Sequence, residues 1–444
     1  MTRDLTVGSP PKILIQFALP LMGSVAFQQF YSIMDGIIAG RCINADALAA
    51  VGASYPITMI FTAIAIGLNS GGMVLCSQKF GARKMDEFKT AAYTSMITAL
   101  LLGMMAMVVG LIICNPMMTL LNTPADIYAQ SAAYLRIYCV GLLFVFLYNI
   151  CNGIFSSMGD SMTPFLLLVV SSVSNIVLDI LFVVGFHMGV ASVALATLIA
   201  QAVGGVLAIA ILLRRLRKMQ SESAQLFSAE MFRKVVLVSI PSILQQSFVS
   251  VCNLFIQRYV NGYGAAVIAG YSAAIKLNTF AIMLFGSLSN ALTTFSAQNF
   301  GAHKMDRIRR GLKDGILLSL IIIVPITLLY VLAGDRLMML FMTSANEKAV
   351  HTGQLFLRIA PPFYVVLVIK VMHDAVLRGA AAMKTFMIST FADLFLRIIL
   401  AYWFQFYWGS MGIWLAWPFT WGIGMVIAVG FYKHGGWKKK HMIL

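Results

Sequence analysis

The sequence predicts an all-α polytopic membrane protein, with twelve transmembrane helices arranged as two parallel six-helix repeats. Three observations carry that expectation. Of 444 residues, 60% are apolar and only 11% charged, with a mean hydropathy of +0.87; a soluble domain covers itself with about 25% charged residues. Apolar runs of about 20 residues, enough to cross a ~30 Å hydrocarbon core, recur along the whole chain. One nine-residue pattern occurs twice, at Gln78–Asp86 and Gln298–Asp306, with identity at all but two positions.

The spans are centred near Phe27, Ala63, Leu102, Leu142, Val170 and Leu198 in the first half. Those of the second half are centred near Ser247, Leu284, Ile323, Val366, Leu396 and Ile423. The first run begins near Ile13 and contains Pro20. It is too long for a signal-peptide core and lacks a small-residue cleavage site, so it is expected to be retained. Six Cys scattered through apolar runs exclude a disulfide scaffold.

The net charge of +16 would favour nucleic-acid binding in a soluble protein. Here the basic residues sort by side. Even-numbered connections and both tails hold the clusters Lys79–Lys89, Arg214–Lys234 and Lys304–Lys313, with Arg378, Lys384 and Lys433–Lys440. The opposite connections hold Arg41, Arg336 and Lys348. The positive-inside rule places both termini in the cytoplasm, so the charge encodes topology and no nucleic-acid partner is expected.

The repeat extends beyond the nine-residue loop. Pro20 in span one matches Pro241 in span seven, Tyr134–Ile137 in span four echoes Phe356–Ile359 in span ten, and Gly189 to Thr197 has the spacing of Gly412 to Thr420. The chain therefore divides into six-helix halves at 1–219 and 220–444. Six is even, so both halves cross the membrane in the same sense, a layout that suits a transporter. A purely structural duplicated bundle is the bland alternative.

These features resemble the multidrug and toxic compound extrusion (MATE) transporters over essentially the whole chain, and most closely the bacterial branches of the damage-inducible and Staphylococcus-type pumps. The resemblance rests on the 6+6 arrangement, the two prolines, the twice-seen Gln-x-Phe-Gly-Ala-x-Lys-Met-Asp loop, and Asp35 ahead of Ala47–Gly52. It implies secondary active export of organic, cationic or amphipathic compounds by alternating access, coupled to H⁺ or Na⁺. It also implies a bacterial cytoplasmic membrane as the location, with no cofactor.

Ionisable residues within spans mark function by default, since each costs roughly 2.5–3.5 kcal/mol on insertion scales. Asn175 and Asp179 share one face of span five. The hairpin of spans five and six turns near His187, which sets Asp179 and Thr197 at similar depth; Asp35 lies a little over a turn below the outer end of span one. Asp35, Asn175, Asp179 and Thr197 thus form a compact oxygen set suited to a proton or a sodium ion. The positions these four match are implicated in coupling-cation binding in the resembled family. The alternative is inter-helix hydrogen bonding alone.

Gln28, Tyr31 and Met34 on span one, with Asn149 and Asn152 on span four, are candidates to line a substrate pocket through cation–π and Met contacts. Pro20 marks a bend that the resemblance links to collapse of that pocket, a static kink being the physical alternative. In the second half Lys276, Lys370, Asp374, Asp393 and Arg397 all fall within spans, and the pairs Lys370–Asp374 and Asp393–Arg397 can close along their helices. A salt-bridge network is expected there. Some branches of the resembled family carry acids on spans seven and ten; Val235–Tyr259 has none, which argues against a second sodium site and tilts coupling toward protons.

No phosphate loop, nucleophile elbow or zinc motif occurs, and the 28 Met are dispersed filler. Two rivals remain. A lipid-linked oligosaccharide flippase would use Lys276, Lys370 and Arg397 in a basic cavity. A membrane enzyme would need a catalytic pair, for which His373–Asp374 is the one adjacent candidate.

Overall fold

The computed structural model describes residues 3–38, 43, 45–120, 123–186, 188–341 and 347–439, without the side chains of 32, 33, 35–37 and 45–48. Among the described residues twelve helical spans are long and apolar enough to cross a membrane, and no strand forms. The first half contributes α1 (Pro10–Ile37), α2 (Ala45–Gly81), α3 (Met85–Leu120), α4 (Ala125–Ser157), α5 (Met162–Ile180) and α6 (Val190–Lys218). The second contributes α7 (Ala229–Asn261), α8 (Ala265–Gly301), α9 (Met305–Leu332), the short α10 (Gly334–Met339), α11 (Glu347–Ile359), α12 (Tyr364–Gly379), α13 (Met383–Trp408), α14 (Ser410–His434) and the short α15 (Gly436–Lys439).

Each expected span centre falls in its helix, with one difference in form. Span ten is broken into α11 and α12 by a 3₁₀ turn, Pro361–Phe363, whereas its counterpart α4 is continuous. Two adjacent prolines remove two consecutive backbone donors, so the break falls at Pro361 and Pro362 although Ala360 before them keeps helical dihedrals (φ −78°, ψ −48°). Single prolines inside α1 and α7 do not break those helices.

Contacts group the chain into two compact units. One comprises Met1–Asp4 and Leu19–Ile243, the other Leu5–Ala18 and Leu244–Leu444. The beginning of α1 therefore belongs with the second unit, and the beginning of α7 with the first. Pro20 and Pro241 each stand beside a point where the chain changes unit. Within the first unit α4 is central and packs on α2, α3 and α6; within the second α12 packs on α8, α9 and α14.

The nine-residue repeat builds the same turn twice. Arg83 and His303 adopt left-handed φ values of 58° and 57°. In both copies the chain closes with the same backbone bonds, Ala82 N to Gln78 O (2.9 Å) and Ala302 N to Gln298 O (3.0 Å). These two turns also receive the segments that precede α1 and α7. In the second unit Leu5 N donates to Gln298 Oε1 (2.9 Å), Lys304 Nζ to Thr6 O (2.9 Å) and Arg307 Nη1 to Gly8 O (2.8 Å). In the first unit Lys89 Nζ donates to Ser221 Oγ (2.7 Å), while Gln225 N and Ser228 N donate to Thr90 Oγ1 and Thr94 Oγ1 at 3.0 and 3.1 Å.

The turn between α4 and α5 is capped by a buried acid. Gly159 takes φ +73°, and Asp160 Oδ1 then accepts from Met162 N and Thr163 N at 3.1 and 3.0 Å, covering orphan donors of the helix start. Its other oxygen accepts from Thr163 Oγ1 and from the Arg215 guanidinium. Burial alone would raise this carboxyl, but the hydrogen bonds from Thr163 and Arg215 outweigh it and hold the pKa below the ordinary aspartate value.

Candidate functional site

The first unit assembles its polar set from α5 and α6. Asn175, Asp179 and Thr197 are all buried. Amide orientation follows from what the neighbours can donate and accept. Oriented to serve both, Asn175 Nδ2 donates to Asp179 Oδ2 at 2.9 Å, and its Oδ1 lies 3.1 Å from Thr197 N and 3.3 Å from Thr197 Oγ1. The Thr197 hydroxyl donates to Val193 O at 2.9 Å. The sequence reading set Asp179 itself at the depth of Thr197; in the structure it is Asn175, one turn earlier on α5, that reaches Thr197, and it bonds Asp179 as well.

Immediately beyond Asp179 the helix changes form. Residues Leu181–Gly185 make a π-helical turn, which the sequence reading did not anticipate. Such turns widen a helix locally and recur at functional sites. On the outer side of the set, Val183, Val190, Val193 and Ala194 pack with Ile38, Ala50 and Tyr134 into an apolar cluster. The backbone of Asp35 is helical in α1, but its side chain lies outside the description, as do His187 and Arg41.

The substrate-lining candidates occupy the expected helices. Along α1, Gln28 is exposed, and Tyr31 and Met34 are half-buried on the stripe that leads to Asp35. On α4, Asn149 and Asn152 are half-buried, and Asn149 Nδ2 is turned back onto Val145 O at 2.9 Å. Pro20 leaves α1 continuous, and Ser24 Oγ donates to its carbonyl at 2.9 Å. Arg136 is exposed and donates to Asn115 Oδ1, away from the polar set.

In the second unit the charged residues form a chain of ion pairs. Lys370 Nζ lies 2.9 Å from Asp374 Oδ2 and 3.7 Å from Asp393 Oδ2, and Arg397 Nη2 lies 2.6 Å from Asp393 Oδ1. All four side chains are at most 8% exposed. Arg397 also approaches Thr420 Oγ1 at 3.5 Å and lies over the Trp417 ring at 4.7 Å. Gly424 makes room: a Cβ there would sit 2.5 Å from Lys370 Cε. Lys276 is not drawn in; it stands exposed on α8. His373 bonds Ile369 O through Nδ1.

The two hairpins share one contact, Asn175 against Thr197 and Arg397 against Thr420, and differ in the rest: the acid partner lies one turn after Asn175 but one turn before Arg397. Sequence reasoning missed the two tryptophans on Arg397, Trp417 at 4.7 Å and Trp421 at 6.0 Å, and the space left by Gly424. The spacing of Trp414, Trp417 and Trp421 on one face of α14 was the signal for the former. The sequence-defined helix seven carried no acid; the observed α7 starts earlier and takes in Glu230, which pairs with Lys234 in its first turns. Among the described residues no three His, Cys, Asp or Glu side chains converge as metal ligands.

Twelve apolar spans, an internal duplication and oxygen-rich or ion-paired sets buried at helix hairpins define a multi-pass helical membrane protein of the transporter type. The MatE family model matches residues 20–181 and 241–403, most of both halves. The chain belongs to that family. It is 26% identical over 437 residues to the probable multidrug resistance protein YoeA of Bacillus subtilis, covering 96% of this chain and 94% of the relative. The multidrug export protein MepA of Staphylococcus haemolyticus is 24% identical, over 77% of this chain and 75% of the relative. The FAD transporter of Shewanella oneidensis is 24% identical over 72% of this chain and 71% of its own. Among solved structures, a MOP superfamily transporter from Pyrococcus furiosus superposes with a TM-score of 0.91 at 22% identity, over 98% of both chains. A MATE structure in complex with MaL6 superposes with a TM-score of 0.91 at 23% identity, over 99% of this chain and 100% of that one.

Proposed function

We propose that this chain is a secondary active multidrug exporter of a bacterial cytoplasmic membrane, with both termini cytoplasmic, that couples inward movement of H⁺ or Na⁺ to outward movement of organic cations or amphipathic compounds. The halves 1–219 and 220–444 act as the repeats that alternate access. One observation carries the reading: a carboxylate, an amide and a hydroxyl are buried together at Asp179, Asn175 and Thr197, beside a π turn.

A carboxylate in low dielectric favours either a proton or a neutralising cation. Asp35 and Asp179 supply the charge, and Asn175 and Thr197 supply neutral oxygens. Occupancy offsets the cost of buried charge, and it shifts the transport equilibrium only by its differential affinity for the two states. One charge moving through 100 mV supplies about 2.3 kcal/mol. Gln28, Tyr31, Met34, Asn149 and Asn152 receive the organic substrate. Names of the relatives YoeA and MepA support multidrug export. The flippase alternative loses support because Lys370 and Arg397 are neutralised by Asp374 and Asp393, which leaves Lys276 alone of its three basic groups. The chain is read as a transporter and not an enzyme, needing no cofactor.

The test is dye efflux from proteoliposomes under separately imposed ΔpH and ΔNa⁺. Wild type is expected to respond to one gradient, which names the ion, and Asp35→Asn and Asp179→Asn are expected to abolish the response. Efflux that persists in both variants would overturn the site; no movement of any organic cation would overturn the substrate class.

A further inference from the structure

At the ends of α7 and α13, on the face opposite the Lys/Arg-rich loops, the second unit holds a cavity of about 460 Å³ lined by Phe255, Arg258, Tyr259, Gly262, Tyr402 and Gln405. Arg258 is exposed and forms no ion pair among the described residues. The sequence explains why. No Asp or Glu is encoded between Glu230 and Asp306, and none after Asp393, so the ends of α7, α8, α13 and α14 that meet this face carry no carboxylate. An unneutralised guanidinium here also runs against the charge bias that leaves this side nearly free of basic residues.

The surroundings suit an interfacial ligand. Tyr259 and Tyr402 pair with ring centroids 5.9 Å apart, and Tyr402 packs edge-on to Phe406 at 5.0 Å. Tyr402, Trp403, Phe406, Tyr407 and Trp408 are all more than half exposed, a belt of the kind that sits at headgroup depth. Gly262 leaves the floor without a side chain, and Gln405 offers an amide donor. Arg258 thus faces a cleft with a polar, cationic mouth and an aromatic wall at the ends of two membrane-length helices.

We propose that this cavity binds the phosphate of an anionic phospholipid in the outer leaflet. Arg258 pairs with the phosphate, helped by Gln405 and the tyrosine hydroxyls, while Phe255 and Tyr402 flank the first acyl carbons. Guanidinium is well suited to this, because its planar fork matches phosphate oxygens and is weakly hydrated.

The test uses the full chain in a neutral detergent, titrated with palmitoyl-oleoyl phosphatidylglycerol, the matching phosphatidylcholine, or inorganic phosphate. Retained lipid is counted by native mass spectrometry and thermal unfolding is followed in parallel. Wild type is expected to retain phosphatidylglycerol and gain thermal stability, and Arg258→Gln to bind it about fivefold more weakly, the scale of one basic group at an anionic surface. Arg336→Gln, which removes an outer charge away from the cavity, is expected to leave binding unchanged. Equal binding by Arg258→Gln and wild type would overturn the proposal, as would an equal loss in Arg336→Gln, which would make the attraction diffuse. Stabilisation by inorganic phosphate alone would reassign the site to a free anion.

Discussion

The two helix hairpins, α5–α6 and α13–α14, answer the problem of polarity inside a membrane differently. In the first, the Asp179 carboxylate accepts from the Asn175 amide, which in turn reaches Thr197. In the second, two carboxylates are met by an ammonium and a guanidinium, and the guanidinium is further covered by Trp417. The two hairpins differ in what meets the threonine hydroxyl, Asn175 at Thr197 in one and Arg397 at Thr420 in the other. In the proposed coupling role, Asp179 takes up a mobile cation beside the neutral amide of Asn175. A set of fixed counter-charges satisfies itself and holds its helices together.

The largest expected effect comes from making the first hairpin resemble the second. Asn175→Arg would set a guanidinium beside Asp179 and is expected to abolish gradient-driven efflux in proteoliposomes while the protein still inserts and purifies. Retained coupling would break the distinction drawn between the hairpins. Next in size is Arg397→Met, which leaves Asp393 only the more distant Lys370 ammonium at 3.7 Å; thermal unfolding in detergent should show a loss of up to about 3–5 kcal/mol, the scale of breaking a buried ion pair. The double variant Asp393→Leu with Arg397→Met should recover most of that loss if the role is structural.

The turns that precede these hairpins sharpen the comparison further. Asp160→Ala is expected to cost about 0.5–2 kcal/mol through lost capping of α5. Its contribution also has a pH signature. Because the folded-state pKa lies below the unfolded value of about 3.9, the stabilisation is complete above that value and disappears as pH falls through the lower folded one. Wild type and Asp160→Ala should therefore converge on acidification, and a difference that stayed constant with pH would remove Asp160's charge from the account.

The smallest effect belongs to the equivalent turn of the other half. Ala381 holds a left-handed φ of 53° where the first half uses a glycine. Ala381→Gly is expected to raise stability by up to about 1 kcal/mol, since the steric penalty relieved exceeds the added chain entropy. A destabilised variant would show that the alanine methyl packs usefully.

Span number, the duplication and the residues of both polar sets were legible in the sequence because each leaves a periodic or pairwise mark. Asn175 and Asp179 are one turn apart; so are Lys370 and Asp374. What escaped were features that depend on backbone adaptation or on packing across helices. The π turn after Asp179 has no residue signature in Leu181–Gly185, and the space over Lys370 comes from a glycine on another helix. Lys276 was grouped with the ion pairs by its position within a span, but span membership does not fix azimuth, and its side chain points away from the network.

The segment Leu5–Gly8 carries a consequence for how this chain is made. Its hydrogen-bonding partners, Gln298, Lys304 and Arg307, lie nearly 300 residues later in the sequence. At ribosomal rates of about 5–20 residues per second, they emerge on the order of 15–60 seconds after the segment itself. Throughout that interval the start of α1 lacks these partners, while the linker Ser221–Ser228 is made after its own, Lys89, Thr90 and Thr94. Maturation is thus asymmetric in time although the finished turns match: the segment before α1 can dock only once the turn at Gln298–Arg307 has been made.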